Sequence, residues 1–252
     1  MKTVLFDLDG TLLPMDQDAF VRGYFGYMVR MMAPHGYEGE KLIRTIWAGT
    51  AAMVGNDGSC SNEEAFWRCF ASVYGEEARR DIPLFEEFYA TEFQKARSLC
   101  GFTPKAAQTL QLVRALGADA VLATNPLFPA VATESRIRWA GLEPEEFLLY
   151  TTYENSSFCK PNPEYYREIL SKLRREPEDC IMVGNDALED MAAETLGMKT
   201  FLLTDCLINT KHADIGAWPH GGYRELHAFL RAELGGAETG KQSSRTILCH
   251  GC

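Results

Sequence analysis

Thr3-Val4-Leu5-Phe6-Asp7-Leu8-Asp9-Gly10-Thr11-Leu12 follows directly on Met1 and Lys2. Its first four residues are a short apolar run that stops at an acid, the pattern of a strand buried on both faces. Two carboxylates at i and i+2 leaving a strand point the same way, while Leu8 turns into the fold. Exposed acids this close repel one another unless a cation lies between them. Gly10 lets the chain turn sharply out of the sheet. At ordinary residue frequencies such an Asp-x-Asp-Gly-Thr-Leu string arises by chance in roughly one chain in several thousand.

Similar apolar runs recur at Ala120–Ala123, Cys180–Val183 and Thr200–Leu203, with Phe147–Tyr150 as a fifth candidate strand. Helical patterns lie between them. One begins at Thr103-Pro104, carries Leu110, Val113 and Leu116 on one face, and stops at Gly117. Another opens at Pro163 with Tyr166, Ile169, Leu170 and Leu173 at helical spacing, and a third is expected from about Leu188 to Gly197. Strands alternating with helices of this length predict an α/β fold, a doubly wound parallel sheet with a Rossmann-like core.

Residues 14–100 read differently, with no convincing strand and four amphipathic patterns. These carry Phe20, Tyr24 and Met28; then Leu42, Ile46 and Trp47; then Phe66 and Phe70 behind a Ser61/Glu64 capping box; and finally Phe85, Phe88 and Phe93. The expected division is a catalytic core of 1–13 and 101–234, an all-helical insert of 14–100, and a disordered polar tail of 235–252. An insert placed just after the first strand would sit over the sheet edge where open α/β folds bind ligands. The loop Gly55–Ser59 and the insert cations Arg22, Arg30, Lys41, Arg44 and Arg68 are candidates for substrate contact.

The chain has 252 residues and a formal net charge of −10. That charge argues against a nucleic-acid backbone or an anionic membrane as the main partner. It also requires a local cation or metal to draw in an anionic substrate. No secretory core precedes Asp7, so a cytoplasmic location is expected, and the eight cysteines are read as reduced thiols. The terminal Cys249-His250-Gly251-Cys252 has Cys-x-x-Cys spacing but follows a polar tail, and is expected to carry no function.

Three further segments bear chemistry. Asp186 and Asp190, after the run Cys180–Val183, are read as one face of a helix start and supply the oxygen donors magnesium prefers. Thr124 and Asn125 follow the run Ala120–Ala123 and can donate to phosphoryl oxygens. Lys160, ahead of the Pro163 helix, is a point charge suited to the same oxygens.

In this order the segments resemble the haloacid dehalogenase superfamily over nearly the whole chain. Asp7 and Asp9 match its first motif, Thr124 the second, Lys160 the third, and Asp186 with Asp190 the fourth. The insert looks like the helical cap of the first type. Asn185 departs from the pattern by separating Gly184 from Asp186, and Thr124 stands where Ser is also found. The resemblance implies a magnesium-dependent phosphatase acting on a small phosphorylated metabolite through an aspartyl-phosphate. Asp7 would be the nucleophile and Asp9 the acid and base. Thr124, Asn125 and Lys160 would hold the phosphoryl group, and Asp7, the main chain of Asp9 and Asp186 would hold Mg2+, with Asp190 behind them. A sugar phosphomutase or a catalytically inactive binding module on the same fold are the alternatives. The identity of the metabolite and the oligomeric state are open.

Overall fold

The computed structural model describes residues 1–235; the tail expected at 235–252, with its Cys249–Cys252 pair, otherwise lies outside them. Five strands form one sheet: β1 (Thr3–Phe6), β2 (Asp119–Leu122), β3 (Cys180–Gly184), β4 (Lys199–Leu203) and β5 (His220–Gly221). Their spatial order is β2-β1-β3-β4-β5, and every pairing is parallel. The fold class read from the sequence is therefore the observed one.

The alternation of strand side chains divides the core between two faces. Val4 and Phe6 pack on one face with Leu110 and Val113 of α5 (Lys105–Ala115), Ile137 of α6 (Ala130–Trp139) and Leu230 of α8 (Tyr223–Leu234). Leu5 and Val121 pack on the other with Tyr165, Tyr166 and Ile169 of α7 (Pro163–Leu173). Helices thus cover both faces, which explains why β1 and β3 are buried throughout rather than alternating.

Between β1 and α5 the chain carries only helices among its ordered elements. These are α1 (Gln17–Met32), α2 (Gly39–Val54), α3 (Asn62–Tyr74) and α4 (Ile82–Ala90), with 3₁₀ turns at Ala33–His35, Glu76–Asp81 and Glu92–Leu99. Phe70 is wholly buried among Tyr37, Trp67, Tyr74 and Phe85, with ring centroids 4.9–6.0 Å apart. Ser61 caps α3, its Oγ accepting from the Glu64 N–H at 3.2 Å. The Glu64 carboxylate does not close the capping box and pairs instead with Arg79 at 3.0 Å. Where the insert leaves and rejoins the sheet, Met15 bridges Cys100, and Gly101 N–H donates to Pro14 O at 2.7 Å.

Two local expectations change. Phe147–Tyr150 is not a strand: it runs beside β2 with a single bridge, Leu122 to Tyr150, and leaves Leu148 exposed at the sheet's open edge. The edge strand at the opposite side is β5. Residues 186–190 form turns rather than the start of a helix, and only Met191–Leu196 coil, as a 3₁₀ helix. Among the described residues the six cysteines are free thiols, and no helix is long and apolar enough to cross a membrane.

Candidate active site

Strand register assembles the site. Phe6 lies opposite Leu122 on one side and Val183 on the other, so Asp7 emerges level with Ala123 and Gly184. Its N–H still donates to Val183 O at 2.9 Å, which anchors the acid to the sheet. Asp7, Asp9, Thr124, Asn125, Asp186 and Asp190 line one cavity of about 280 Å3 between the sheet edge and the insert. Lys160 reaches them from the loop before α7, its ammonium 2.8 Å from Asp7 Oδ1 and 2.7 Å from Asp190 Oδ1. Asn125 fixes that loop by accepting the Lys160 N–H at 3.3 Å. Thr124 is buried, and its carbonyl accepts from Tyr165 at 2.8 Å and Thr151 at 2.6 Å, which pins the residue at the strand end. All four segments singled out in the sequence converge here.

The fourth segment is built by its own side chains. Asp186 Oδ1 accepts from the N–H groups of Leu188 (2.7 Å) and Glu189 (2.9 Å), while Asp190 Oδ2 accepts from Asp186 N–H at 2.9 Å. Carboxylates that take up backbone donors in this way compete with a regular helix, which accounts for the turn. At Gly184 an added Cβ would lie 2.0 Å from Asp190 Oδ2, so the strand end admits no side chain. Asn185 is a clamp. It accepts from Thr11 Oγ1 at 2.9 Å and donates to Cys206 O at 2.7 Å. Its amide also fills the space beside Gly10, where a Cβ would lie 2.3 Å from Nδ2 and φ is +86°. The extra residue in the fourth motif therefore ties down the turn of the first, and Asp186 still faces the cavity.

Charge is unbalanced at this end. Five carboxylates, those of Asp7, Asp9, Asp186, Glu189 and Asp190, line the cavity. They are met by two buried cations, Lys160 and Arg136. Burial works against the Lys160 charge, but Asp190 and Asp7 override it and hold the ammonium protonated. Burial pushes the Asp7 carboxyl up to about 7; Lys160 opposes this and Asp190 adds to it. Glu189 is likewise pushed up to about 7 by burial, which the Lys160 charge and, to a lesser degree, donation from Asn125 at 3.0 Å offset only in part. Asp9 is raised by burial against the pull of Arg136, and its Oδ1 is buried without a partner. An excess of hard oxygen donors with one left unpaired fits a divalent cation such as magnesium. Among the described residues no three potential ligands are already gathered around a common point. Asp7 is turned to Lys160, Asp9 to Arg136, and one oxygen of Asp186 to its own turn.

A family model described as haloacid dehalogenase-like hydrolase matches residues 1–194. The chain belongs to that family. Within it, the chain is 25% identical over 205 residues to a phosphoglycolate phosphatase of Vibrio parahaemolyticus, covering 81% of this chain and 84% of that protein. It is 24% identical over 205 residues to the pyrophosphatase PpaX of Bacillus cereus, covering 79% and 82%. Among solved structures, the 2-haloacid dehalogenase of Pseudomonas syringae pv. Tomato superposes with a TM-score of 0.60 at 19% identity, over 92% of this chain and 98% of that one. Such a likeness speaks for the haloacid dehalogenase fold and not for the reaction.

Three side chains of the site carried no sequence signal strong enough to single them out. Arg136, 1% exposed on α6, pairs with Asp9 and lies 4.2 Å from the Phe128 ring centre. Glu189 sits in the fourth segment beside two acids that overshadow it. Thr11 stands within the first motif, its Oγ1 3.4 Å from Asp7 Oδ2. Conversely, Gly55–Ser59 does not line the cavity. Asn56 bonds Asn62, and Asn62 reaches Pro126 O and Phe158 O, so this region fastens the insert to core loops.

Proposed function

We propose that the chain is a magnesium-dependent phosphatase that cleaves a small phosphomonoester through Asp7. The observation that carries this reading is the buried array in which one ammonium, Lys160, lies 2.8 Å from Asp7 and 2.7 Å from Asp190, beyond the carboxyl ends of the neighbouring strands β1 and β3. Residues 14–100 are the cap over this site, and 1–13 with 101–234 the catalytic core.

Asp7 attacks phosphorus as the ester P–O bond breaks, giving an aspartyl-phosphate. Asp9 gives its proton to the departing alkoxide and then takes one from the water that cleaves the acyl-phosphate bond. Burial raises the Asp9 carboxyl, which favours the protonated form an acid requires. Lys160 and the Thr124 hydroxyl stabilise charge on the transferring phosphoryl oxygens, with Asn125 fixing the Lys160 loop. Asp190 keeps Lys160 in place and positions the Asp186 backbone. Asp7, the main chain of Asp9 and Asp186 would hold magnesium, which when bound supplies positive charge between the attacking carboxylate and the phosphoryl group. Asp9 also favours phosphoryl transfer over dehalogenation, in which an ester forms on carbon and no leaving alkoxide needs a proton.

The test is release of phosphate from acetyl phosphate and a generic aryl phosphate, with and without magnesium. Turnover is expected only with the metal, and it is expected to vanish in Asp7→Asn. Release that survives either change would overturn the proposal.

A further inference from the structure

Away from Asp7 the cavity changes character. Its wall there is built by Phe20 and Tyr24 of α1, Trp47 of α2, Trp67 of α3, and Phe85 and Tyr89 of α4. From the core side Phe128 closes against the same rings, 5.7 Å from Tyr24 and 6.3 Å from Tyr89 between centroids. Among the described residues no Lys or Arg lines this aromatic wall. Arg136 lies behind it, 4.2 Å from the Phe128 ring centre and paired with Asp9, and Lys160 is held by Asp7 and Asp190. The insert adds the acid Glu86 and the uncharged Gln17 and Thr50.

The insert's cations are committed elsewhere. Arg44 pairs with Glu40 at 3.5 Å, and Arg68 and Arg79 share Glu64 at 3.5 and 3.0 Å. Lys95 pairs with Glu92 at 2.6 Å, and Lys41 lies 4.3 Å from the Tyr74 ring centre. Arg22, Arg30, Arg80 and Arg97 are exposed and outside the cavity. A second anionic group on a substrate would therefore leave water for a wall of rings, with no counterion and with Glu86 in the same cavity. An apolar or aromatic group would gain by the same transfer, through area removed from water and through ring contacts.

We infer that the preferred substrates are phosphomonoesters of an apolar or aromatic alcohol with no second anionic group. This rests on the hydrolytic reading above and narrows its substrate class. At about 280 Å3 the cavity suits a phosphoryl group and a leaving group of roughly one ring system. Phosphoglycolate and pyrophosphate, after which two relatives are named, have anionic leaving groups and fit this wall poorly.

Binding tests the preference without bond cleavage. With Mg2+ present, calorimetry compares 3-phenylpropylphosphonate with 4-phosphonobutyrate, which exchanges the ring for a carboxylate on the same three-carbon chain. The phenyl compound is expected to bind at least about tenfold more tightly, the discrimination a well-fitted apolar pocket supplies. Equal or reversed affinity would overturn the inference. In Trp47→Ala, at a position 51% exposed and so tolerant of truncation, the ratio is expected to fall several-fold. An undiminished ratio would equally count against the chamber.

Turnover gives a second reading, with 2-phenylethyl phosphate, phosphoglycolate, pyrophosphate and acetyl phosphate as probes. The 2-phenylethyl alkoxide is a poorer leaving group than phosphate, so a higher kcat/KM for its ester reflects binding. Release from acetyl phosphate with phosphoglycolate or pyrophosphate preferred overturns the apolar class alone. No release from any probe overturns the hydrolase, and the phosphonate ratio then decides the chamber by itself.

Discussion

Lys160 and Asp190 form a buried ion pair at 2.7 Å, each 1% exposed, and the same ammonium reaches Asp7 at 2.8 Å. One cation thus serves two carboxylates that come from strand ends far apart in sequence. Lys160→Met leaves both acids in a low-dielectric site without that cation. Loss of one partner from such a cluster costs about 3–5 kcal/mol. Urea unfolding of Lys160→Met should show a loss of this size together with loss of turnover. A variant as stable as the parent would mean that the cluster contributes little to the fold.

Gly184→Ala tests how tightly Asp190 is held. The new Cβ would fall 2.0 Å from Asp190 Oδ2 and 2.1 Å from its Cγ. Asp190 cannot swing away without releasing Lys160 or the Asp186 N–H. The expected outcome is a fall in kcat as large as that of Asp190→Ala, on the order of a hundredfold as for other displaced site groups. Normal kcat in Gly184→Ala would show that Asp190 has room to move.

The sheet was legible because buried parallel strands are short apolar runs, and Thr3–Phe6, Cys180–Val183 and Thr200–Leu203 end at turn or acidic residues that mark their carboxyl ends. The catalytic acids were legible because their spacing makes chemical sense only with a bound cation or a reacting group. Arg136 was not. Its helix mixes Thr133, Glu134, Ser135 and Arg138 with Ala132 and Ile137, which gives no apolar stripe, and its burial is decided by Asp9, 127 residues away. The turn at 186–190 was misread for a related reason. Acid spacing of i, i+4 suits a helix face, but here both carboxylates bond the backbone of their own segment. Phe147–Tyr150 has strand composition, yet whether such a run joins a ladder depends on the sheet edge it meets.

His227 on α8 supplies a pH dependence remote from the site. Its ring nitrogen lies 2.8 Å from Thr109 Oγ1. Burial, with Arg231 and Lys105 nearby, holds its pKa below the ordinary 6.5. A depressed histidine binds fewer protons folded than unfolded, so its contribution is present above pH 6.5 and is lost as pH falls through the folded value. His227→Gln can keep a bond to Thr109 and does not titrate. Its stability should therefore fall less between pH 7 and pH 5 than that of the parent, measured by urea midpoints at each pH. Parallel losses in the two proteins would assign the acid sensitivity to other groups.

Arg136 bears on the step assigned to Asp9. Its Nε donates to Ala132 O at 3.3 Å and its Nη2 to Thr133 Oγ1 at 3.4 Å, so the guanidinium is fixed by its own helix before it meets Asp9. The Asp9 oxygen that Arg136 does not engage is the one buried without a partner. Arg136→Met frees the carboxylate to rotate and leaves it buried and unpaired, so proton delivery to the leaving group loses its orientation. Well-placed acid–base groups contribute roughly 10²–10⁴-fold, so kcat should fall within that range while KM changes little. Arg136→Lys restores a charge but not the planar contact with Phe128, and should recover only part of the rate. The loss should also be smaller with acetyl phosphate, whose leaving carboxylate needs no proton. A uniform loss across leaving groups would instead make Arg136 a support of the fold.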